Sequence, residues 1–111
     1  MYTTLLTDLQ DGIFTITINR PDKLNALNKK VLQELDIATQ QVYDDVTIKA
    51  AIITGQGSKA FVAGADISEF SEVSDVEGAR LAIIGQKIFF QIENAPKPII
   101  AAVNGFALGG G

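Results

Sequence analysis

Histidine and cysteine are both missing from this sequence. Without cysteine the chain can form no disulfide and carries no thiolate nucleophile, and without histidine it lacks the commonest general base and metal ligand. These absences exclude a Ser-His-Asp triad and a zinc site built on histidine. We therefore expect a site that holds no metal ion.

Clustered basic residues and long apolar runs are missing as well. The nine lysines and arginines are scattered and the formal net charge is −4, which argues against a nucleic-acid partner because phosphate binding needs a concentrated basic surface. No apolar run approaches the roughly 20 residues that cross a bilayer, and the opening MYTTLLTDLQ is unlike a secretory signal. We expect a soluble, cytoplasmic protein that binds neither nucleic acid nor membranes.

The composition that is present belongs to a globular domain. Of the 111 residues, 47% are hydrophobic and 20% are charged, whereas disordered chains are poor in apolar residues and highly charged. A chain of this length forms one domain. We therefore treat residues 1–111 as one unit.

The first half of the chain reads as a hairpin followed by a helix. Residues 3–9 and 13–18 are β-favouring runs on either side of the turn sequence QDG, which predicts a β-hairpin. Apolar residues at helical spacing predict a helix over residues 29–43 with one buried face, and Glu34 is expected on its solvent-exposed side.

The second half repeats this alternation of strand and helix. The run IKAAIITG predicts a strand buried on both faces. Ser74 and Glu77 have the spacing of a capping box, which predicts a helix to about Glu93 with Ile84 on its apolar face. The run IIAAV is a second buried strand that leads into NGFALGGG. Alternating strands and helices indicate an α/β fold.

Several apparent motifs have simpler explanations. The sequence GQGS has no lysine where a phosphate-binding loop needs one, and the final glycines do not fit the spacing of a dinucleotide fingerprint. Asp66 and Glu69 could be a pair of catalytic carboxylates. A helix cap and a favourable charge at the helix N-terminus explain them better.

Two segments, FVAGAD and GFALGGG, remain to be explained. Each follows a buried strand and places small residues where a helix begins or is about to begin. Backbone N–H groups at such places have no partner within the helix. Two of them that converge on one oxygen form an oxyanion hole, and small residues allow a ligand to reach the main chain.

Three motifs, NRPDKLNALN, KAFVAGADISEF and PKPIIAAVNGFALGGG, resemble the enoyl-CoA hydratase/isomerase, or crotonase, superfamily. They occur in the family's order, and the similarity runs from the first hairpin to Gly111. The resemblance implies an α/β fold built as a spiral of ββα units. It also implies an acyl-CoA thioester as ligand, with two backbone N–H groups that polarise its carbonyl and stabilise an enolate-like intermediate.

The resemblance assigns these two N–H groups to Ala65 and Gly110. It implies that Leu24 and Ala26 line the CoA channel, and that further residues flank the CoA largely through backbone atoms. Coenzyme A is part of the substrate, so no separate cofactor is expected. The remaining predicted contacts are Ala63, Asp66, Ile67, Ser68 and Gly109.

The chain also departs from the family pattern. Members are more than twice as long, and in the hydratases an acidic residue follows the glycine run two positions later, with a second in a following helix. These two carboxylates divide the acid and base work. We therefore interpret residues 1–111 as the N-terminal portion of a parent protein, which the resemblance implies is a homotrimer or a hexamer.

Three functions stay open at this point. The leading hypothesis is that the parent protein hydrates 2-enoyl-CoA to 3-hydroxyacyl-CoA in fatty acid or related acyl-CoA metabolism. An enoyl-CoA isomerase, or another family reaction, would use the same oxyanion hole. The third possibility is that the isolated chain is a non-catalytic acyl-CoA-binding fragment.

Overall fold

Strands and helices alternate along the chain in the computed structural model, which describes residues 1–70 and 74–111. The expected α/β architecture is confirmed. No helix in this part of the chain is long and apolar enough to cross a bilayer. The strands are β1 (Leu5–Gln10), β2 (Ile13–Ile18), β3 (Ala50–Gly55), β4 (Ala60–Val62), β5 (Ile99–Ala102) and β6 (Phe106–Ala107), and the helices are α1 (Lys29–Asp44), α2 (Ile67–Phe70) and α3 (Asp75–Glu93).

Two sheets organise these strands. The larger has the order β1-β2-β3-β5, in which β1 and β2 form an antiparallel hairpin while β2, β3 and β5 run parallel. Asp11 and Gly12 close the hairpin with φ values of 53° and 81°. Two positive φ values in a two-residue turn match the right-handed twist of the strands, so the predicted hairpin is confirmed. The smaller sheet pairs β4 with β6 in parallel.

The core lies between the larger sheet and the helix α1. Phe14, Ile16 and Ile18 alternate along β2 and are all buried, as one face of a strand requires. The apolar residues of α1 recur at helical spacing and cover this face. Those that are fully buried include Val31, Leu35, Ala38 and Val42.

The prediction for Glu34 is wrong. Its side chain was expected in solvent, but the residue is only 4% exposed. The residues that precede β1 lie against the part of α1 that contains Glu34. The Glu34 carboxylate accepts hydrogen bonds from the Thr4 N–H and hydroxyl, both at 2.7 Å, and from the Thr3 N–H and hydroxyl at 3.0 and 3.2 Å. A buried carboxylate is tolerated because these donors satisfy it.

The burial predicted for the two later strands is also wrong in part. β3 alternates buried residues with half-buried ones, and β5 is an edge strand on which Ile100 is 56% exposed. Ile84, expected on the apolar face of α3, is 38% exposed. The described residues cover one face of β3 better than the other, and they leave most of β5 and part of α3 exposed.

The hydrogen bonds to Glu34 set the sign of its pKa shift. Burial raises the pKa of this carboxyl, but the donors from Thr3 and Thr4 outweigh that effect and lower the pKa from 4.5 to about 2. Because the folded value lies below the unfolded one, the ionised form stabilises the fold above pH 4.5. This stabilisation is lost as the pH falls from 4.5 towards 2.

We expect Glu34→Gln to lower the free energy of unfolding by about 3 kcal/mol at pH 7, and by less than half of that at pH 3. Urea unfolding of both proteins at the two pH values measures the difference. Asp36→Asn removes an exposed carboxylate from the same helix and should change little. An equal loss for Glu34→Gln at both pH values would contradict the assigned shift.

Candidate functional site

Two backbone segments, residues 24–27 and 63–66, run side by side beyond β4. Leu27 of the first segment and Ala65 of the second form a parallel β-bridge. Successive residues of an extended segment direct their N–H groups to opposite sides, so the N–H of Ala65 points away from Leu27. The hydrogen bonds that join the segments are Ala63 N–H to Leu24 O (3.1 Å), Leu27 N–H to Gly64 O (2.8 Å) and Asp66 N–H to Leu27 O (2.8 Å).

The first segment is shaped by a buried asparagine. Leu24 and Asn25 have φ values of 53° and 56°, a left-handed conformation that asparagine tolerates better than most residues. The Asn25 side chain accepts from the Arg20 N–H at 2.9 Å and donates to the carbonyls of Gln56 and Ala60 at 3.1 and 2.9 Å. Both amide hydrogens and one lone pair of the oxygen are therefore used to hold the turn against the β3–β4 loop.

A second asparagine holds the same loop from the other side. Asn104 accepts from the Gly55 N–H at 3.0 Å and donates to the carbonyls of Gly57 and Ala60 at 2.9 and 3.1 Å. The Ala60 carbonyl therefore receives hydrogen bonds from both Asn25 and Asn104. This one oxygen, at the start of β4, therefore holds both the segment 24–27, through Asn25, and the approach to the glycine run, through Asn104.

The glycine run at residues 109–111 forms a tight turn. The Gly111 N–H donates to the Leu108 carbonyl at 2.8 Å, and Gly109 has a φ of 53°. A β-carbon on Gly111 would collide with the Val62 carbonyl oxygen, so only glycine fits where the turn packs on β4. Gly110 lies in the middle of the turn, and its N–H takes no part in the hydrogen bond that closes it.

Ala65 and Gly110 border the same cavity, of about 360 Å³, between their two segments and α3. Within residues 1–70 and 74–111, neither N–H group has a hydrogen-bond acceptor. A side chain on Gly110 would meet Leu27 and Phe89, which also line the cavity. Two residues with unpaired backbone N–H groups therefore line one largely apolar space, as expected of an oxyanion hole.

An ion pair lies beside this site. Arg20 Nη2 is 3.1 Å from Asp66 Oδ2, and Arg20 Nη1 donates to the Ala26 carbonyl at 2.7 Å. Asp66 precedes α2, and its other oxygen accepts from the Ser68 hydroxyl and N–H at 2.6 and 3.2 Å. The Ser68 hydroxyl, together with Arg20, lowers the pKa of the Asp66 carboxyl although partial burial opposes this. Asp66 thus caps α2 as predicted.

The predicted site residues are placed in two groups. The paired segments bring Leu24, Ala26, Ala63 and Asp66 together, close to Ala65. Ile67 and Ser68 are exposed at the start of α2, and Gly109 is exposed in the glycine turn. Their contacts to a ligand stay predictions.

Sequence reasoning missed the residues that hold this arrangement. Asn25 and Asn104 lie inside the motifs already quoted, and an asparagine beside a turn was a usable signal. The pairing of Arg20 with Asp66 gives no local signal, because the two residues come together only in the fold. Leu27 and Phe89 flank Gly110, and the sequence alone indicates for Phe89 either a core position or the wall of a ligand pocket.

Residues 8–111 match the family model described as enoyl-CoA hydratase/isomerase. The chain belongs to the enoyl-CoA hydratase/isomerase family. The resemblance carried by the three motifs is thus confirmed. It extends over nearly the whole chain.

Relatives with established names support the same family. The chain is 48% identical over 107 residues to a short-chain-enoyl-CoA hydratase of Clostridium acetobutylicum, a match that covers 96% of this chain and 41% of the relative. It is 46% identical over 110 residues to a crotonyl-CoA hydratase of Syntrophomonas wolfei, covering 99% of this chain and 42% of the relative. The chain therefore spans about two fifths of the length of these relatives.

Solved structures confirm the fold. The crystal structure of an enoyl-CoA hydratase from Bacillus anthracis superposes with a TM-score of 0.95 at 32% identity, over 98% of this chain and 43% of that one. An enoyl-CoA hydratase/isomerase from Xanthobacter autotrophicus gives a TM-score of 0.91 at 33% identity, over 99% and 42%. The observed architecture is thus that of a portion of the crotonase fold.

The asparagine at the first turn provides a test of this framework. Asn25→Asp keeps the oxygen that accepts from the Arg20 N–H but replaces the amide donor with a second oxygen. That oxygen would face the carbonyls of Gln56 and Ala60. We expect the free energy of unfolding to fall by about 2 to 3 kcal/mol, measured by urea denaturation.

Asn28→Asp is the matched control. Asn28 caps α1, and its side-chain oxygen accepts from the Val31 N–H at 2.8 Å. Aspartate caps a helix as well as asparagine does, and its charge suits the helix N-terminus, so stability should be unchanged or slightly raised. Equal effects of the two substitutions would show that the Asn25 amide donor does not hold the turn.

Proposed function

We propose that the protein carrying this chain hydrates 2-enoyl-CoA to 3-hydroxyacyl-CoA, and that the N–H groups of Ala65 and Gly110 form the oxyanion hole. The observation that carries this proposal is that Ala65 and Gly110, whose N–H groups have no acceptor within the described residues, line one cavity. Membership of the family and the printed names of the two hydratase relatives support the choice of reaction.

The chemistry explains why two donors at one oxygen are sufficient for this part of the reaction. Hydrogen bonds to the thioester oxygen draw electrons from the conjugated C2=C3 bond and leave C3 electrophilic. Water then adds its oxygen to C3 and gives up a proton, negative charge collects on the thioester oxygen, and C2 takes up a proton. Donors fixed before the reaction stabilise the enolate-like intermediate without reorganisation.

The coenzyme A moiety would follow the paired segments 24–27 and 63–66. Leu24 and Ala26 lie on one side, and Ala63 and Asp66 on the other, so the exposed edge of this pair offers backbone groups to the pantetheine arm. Ile67, Ser68 and Gly109 border the same region on the surface. Coenzyme A enters as part of the substrate, and the proposal requires no separate cofactor.

The proton transfers need groups that do not line this cavity. The side chains along it that the structure describes include leucines, alanine, phenylalanine and Gln86, and none is a carboxylate. Hydration requires a general base for the water and a general acid for C2. In the relatives, which are more than twice as long, residues beyond the matched region have room to supply these groups.

Isomerisation of the double bond is the rival reaction, since it passes through the same enolate and the family description includes it. The two reactions differ in substrate and product. Incubation with crotonyl-CoA and with a 3-enoyl-CoA, followed by chromatography of the products, separates them. Formation of 3-hydroxybutyryl-CoA from crotonyl-CoA supports the hydratase, whereas conversion of 3-enoyl-CoA to 2-enoyl-CoA without hydration overturns it.

We expect Ala65→Val in the whole protein to lower kcat on crotonyl-CoA by about 100- to 1000-fold. The branched side chain stands next to the N–H and keeps the thioester oxygen away from it, while valine suits the extended backbone. Loss of absorbance of the conjugated thioester measures turnover. Unchanged turnover would contradict the assignment of Ala65.

Ala79→Val is the matched control for this experiment. Ala79 is exposed on α3 and borders no part of the site, so the same added volume should leave kcat within about twofold. Thermal unfolding of both variants shows whether the fold is intact.

Residues 1–111 expressed alone should not hydrate crotonyl-CoA, because no carboxylate that could move the protons lines the cavity among residues 1–70 and 74–111. Circular dichroism establishes whether this preparation is folded, and the whole protein is the positive control. Measurable hydration by residues 1–111 would contradict the requirement for further acid and base groups.

A further inference from the structure

The geometry points to Arg20 as a positioning residue that fixes the Ala65 N–H through Asp66 and Ala26. This inference rests on the function proposed above, since it concerns the donor assigned there to the thioester carbonyl. Arg20 is not among the described residues that line the cavity of Ala65. Its effect is therefore carried by the backbone that it holds.

An ion pair, two hydrogen bonds and one peptide bond close a ring beside Ala65. Arg20 contacts the Asp66 carboxylate at 3.1 Å and donates to the Ala26 carbonyl at 2.7 Å. Leu27, the next residue, accepts from the Asp66 N–H at 2.8 Å. The Ala26 carbonyl that Arg20 holds shares its peptide group with the Leu27 N–H, which donates to the Gly64 carbonyl at 2.8 Å. The Gly64 carbonyl in turn shares its peptide group with the Ala65 N–H, so rotation of that N–H would break the hydrogen bond from Leu27.

Arg20 is itself held before any ligand binds. Its N–H donates to Asn25 Oδ1 at 2.9 Å, and its carbonyl accepts from the N–H groups of Lys23 and Asn25 at 2.9 and 2.8 Å. The side chains of Arg20 and Asp66 are only 16% and 12% exposed. The guanidinium therefore joins the two paired segments from a fixed position.

Arginine suits this position better than lysine. Two different nitrogens of one planar group reach two acceptors, a carboxylate and a main-chain carbonyl, which lie on separate segments. A lysine ammonium is a single point charge on a flexible stem and cannot hold both acceptors in fixed directions. The charge alone would therefore not replace the arginine.

Loss of the Arg20 guanidinium should lower kcat more than it weakens the binding of CoA. A displacement of about 1 Å in a catalytic group can cost up to about 100-fold in rate. The oxyanion donor matters most in the transition state, whereas free CoA has no acyl carbonyl and does not use it. We therefore expect kcat to fall by a larger factor than the affinity for CoA, which would follow the same two segments.

The experiment uses the whole protein, with crotonyl-CoA for turnover and free CoA for binding. Arg20→Met should lower kcat about ten- to 100-fold and raise the Kd for CoA by a smaller factor. The double variant with Asp66→Asn should be no slower than Arg20→Met alone, because both changes break one ring. Arg80→Met, which removes an exposed arginine of α3, should leave kcat unchanged.

Arg20→Lys is the second variant, and it keeps the positive charge if Arg20→Met fails to fold. We expect its kcat to fall about tenfold. The infrared carbonyl stretch of bound crotonyl-CoA is measured alongside, because hydrogen bonds in the oxyanion hole lower its frequency. Both substitutions at Arg20 should reduce that shift, which a merely stabilising residue would not do.

Two results overturn the inference. An increase in the Kd for CoA with unchanged kcat would make Arg20 a CoA contact, and a full carbonyl shift with full kcat in Arg20→Lys would remove its positioning role. A wild-type protein that polarises the bound carbonyl but does not hydrate crotonyl-CoA overturns only the proposed reaction. The change in carbonyl stretch still decides the role of Arg20 in that case.

Discussion

The carbonyl oxygen of Ala60 is the point on which the arrangement of the site depends. It accepts one hydrogen bond from Asn25, which lies in the segment 24–27, and one from Asn104, which precedes the glycine run. β4 begins at the same residue, and the chain continues from its end to Ala65. Three separate parts of the chain are thereby located relative to one buried acceptor, and loss of either asparagine would release the part that it holds.

The larger sheet serves the site mainly by placing these turns. β2 ends just before Arg20, β3 ends at the loop that the asparagines hold, and β5 leads to Asn104. Because these three strands are parallel, their carboxyl ends meet at one edge of the sheet. Segments far apart in sequence therefore arrive at one place, and small residues there let them approach closely enough to pair.

Local sequence patterns predicted much of the fold, and tertiary contacts explain what they missed. The hairpin, α1, and α3 with its Ser74 cap follow from turn chemistry and periodicity. Ala65 and Gly110 were predicted as oxyanion donors from the small residues around them and from the family motifs. The position of Glu34 was predicted wrongly because its donors lie 30 and 31 residues away. The pairing of Arg20 with Asp66 gives no local signal for the same reason.

The two donors that border the cavity are main-chain amides, and this has a consequence for the pH dependence of any reaction there. An amide N–H does not titrate in the range where proteins are folded, so its ability to polarise a carbonyl is constant across that range. A pH profile of turnover would therefore report only the groups that move protons. The polarising and proton-transferring halves of such a site can thus be separated by pH alone.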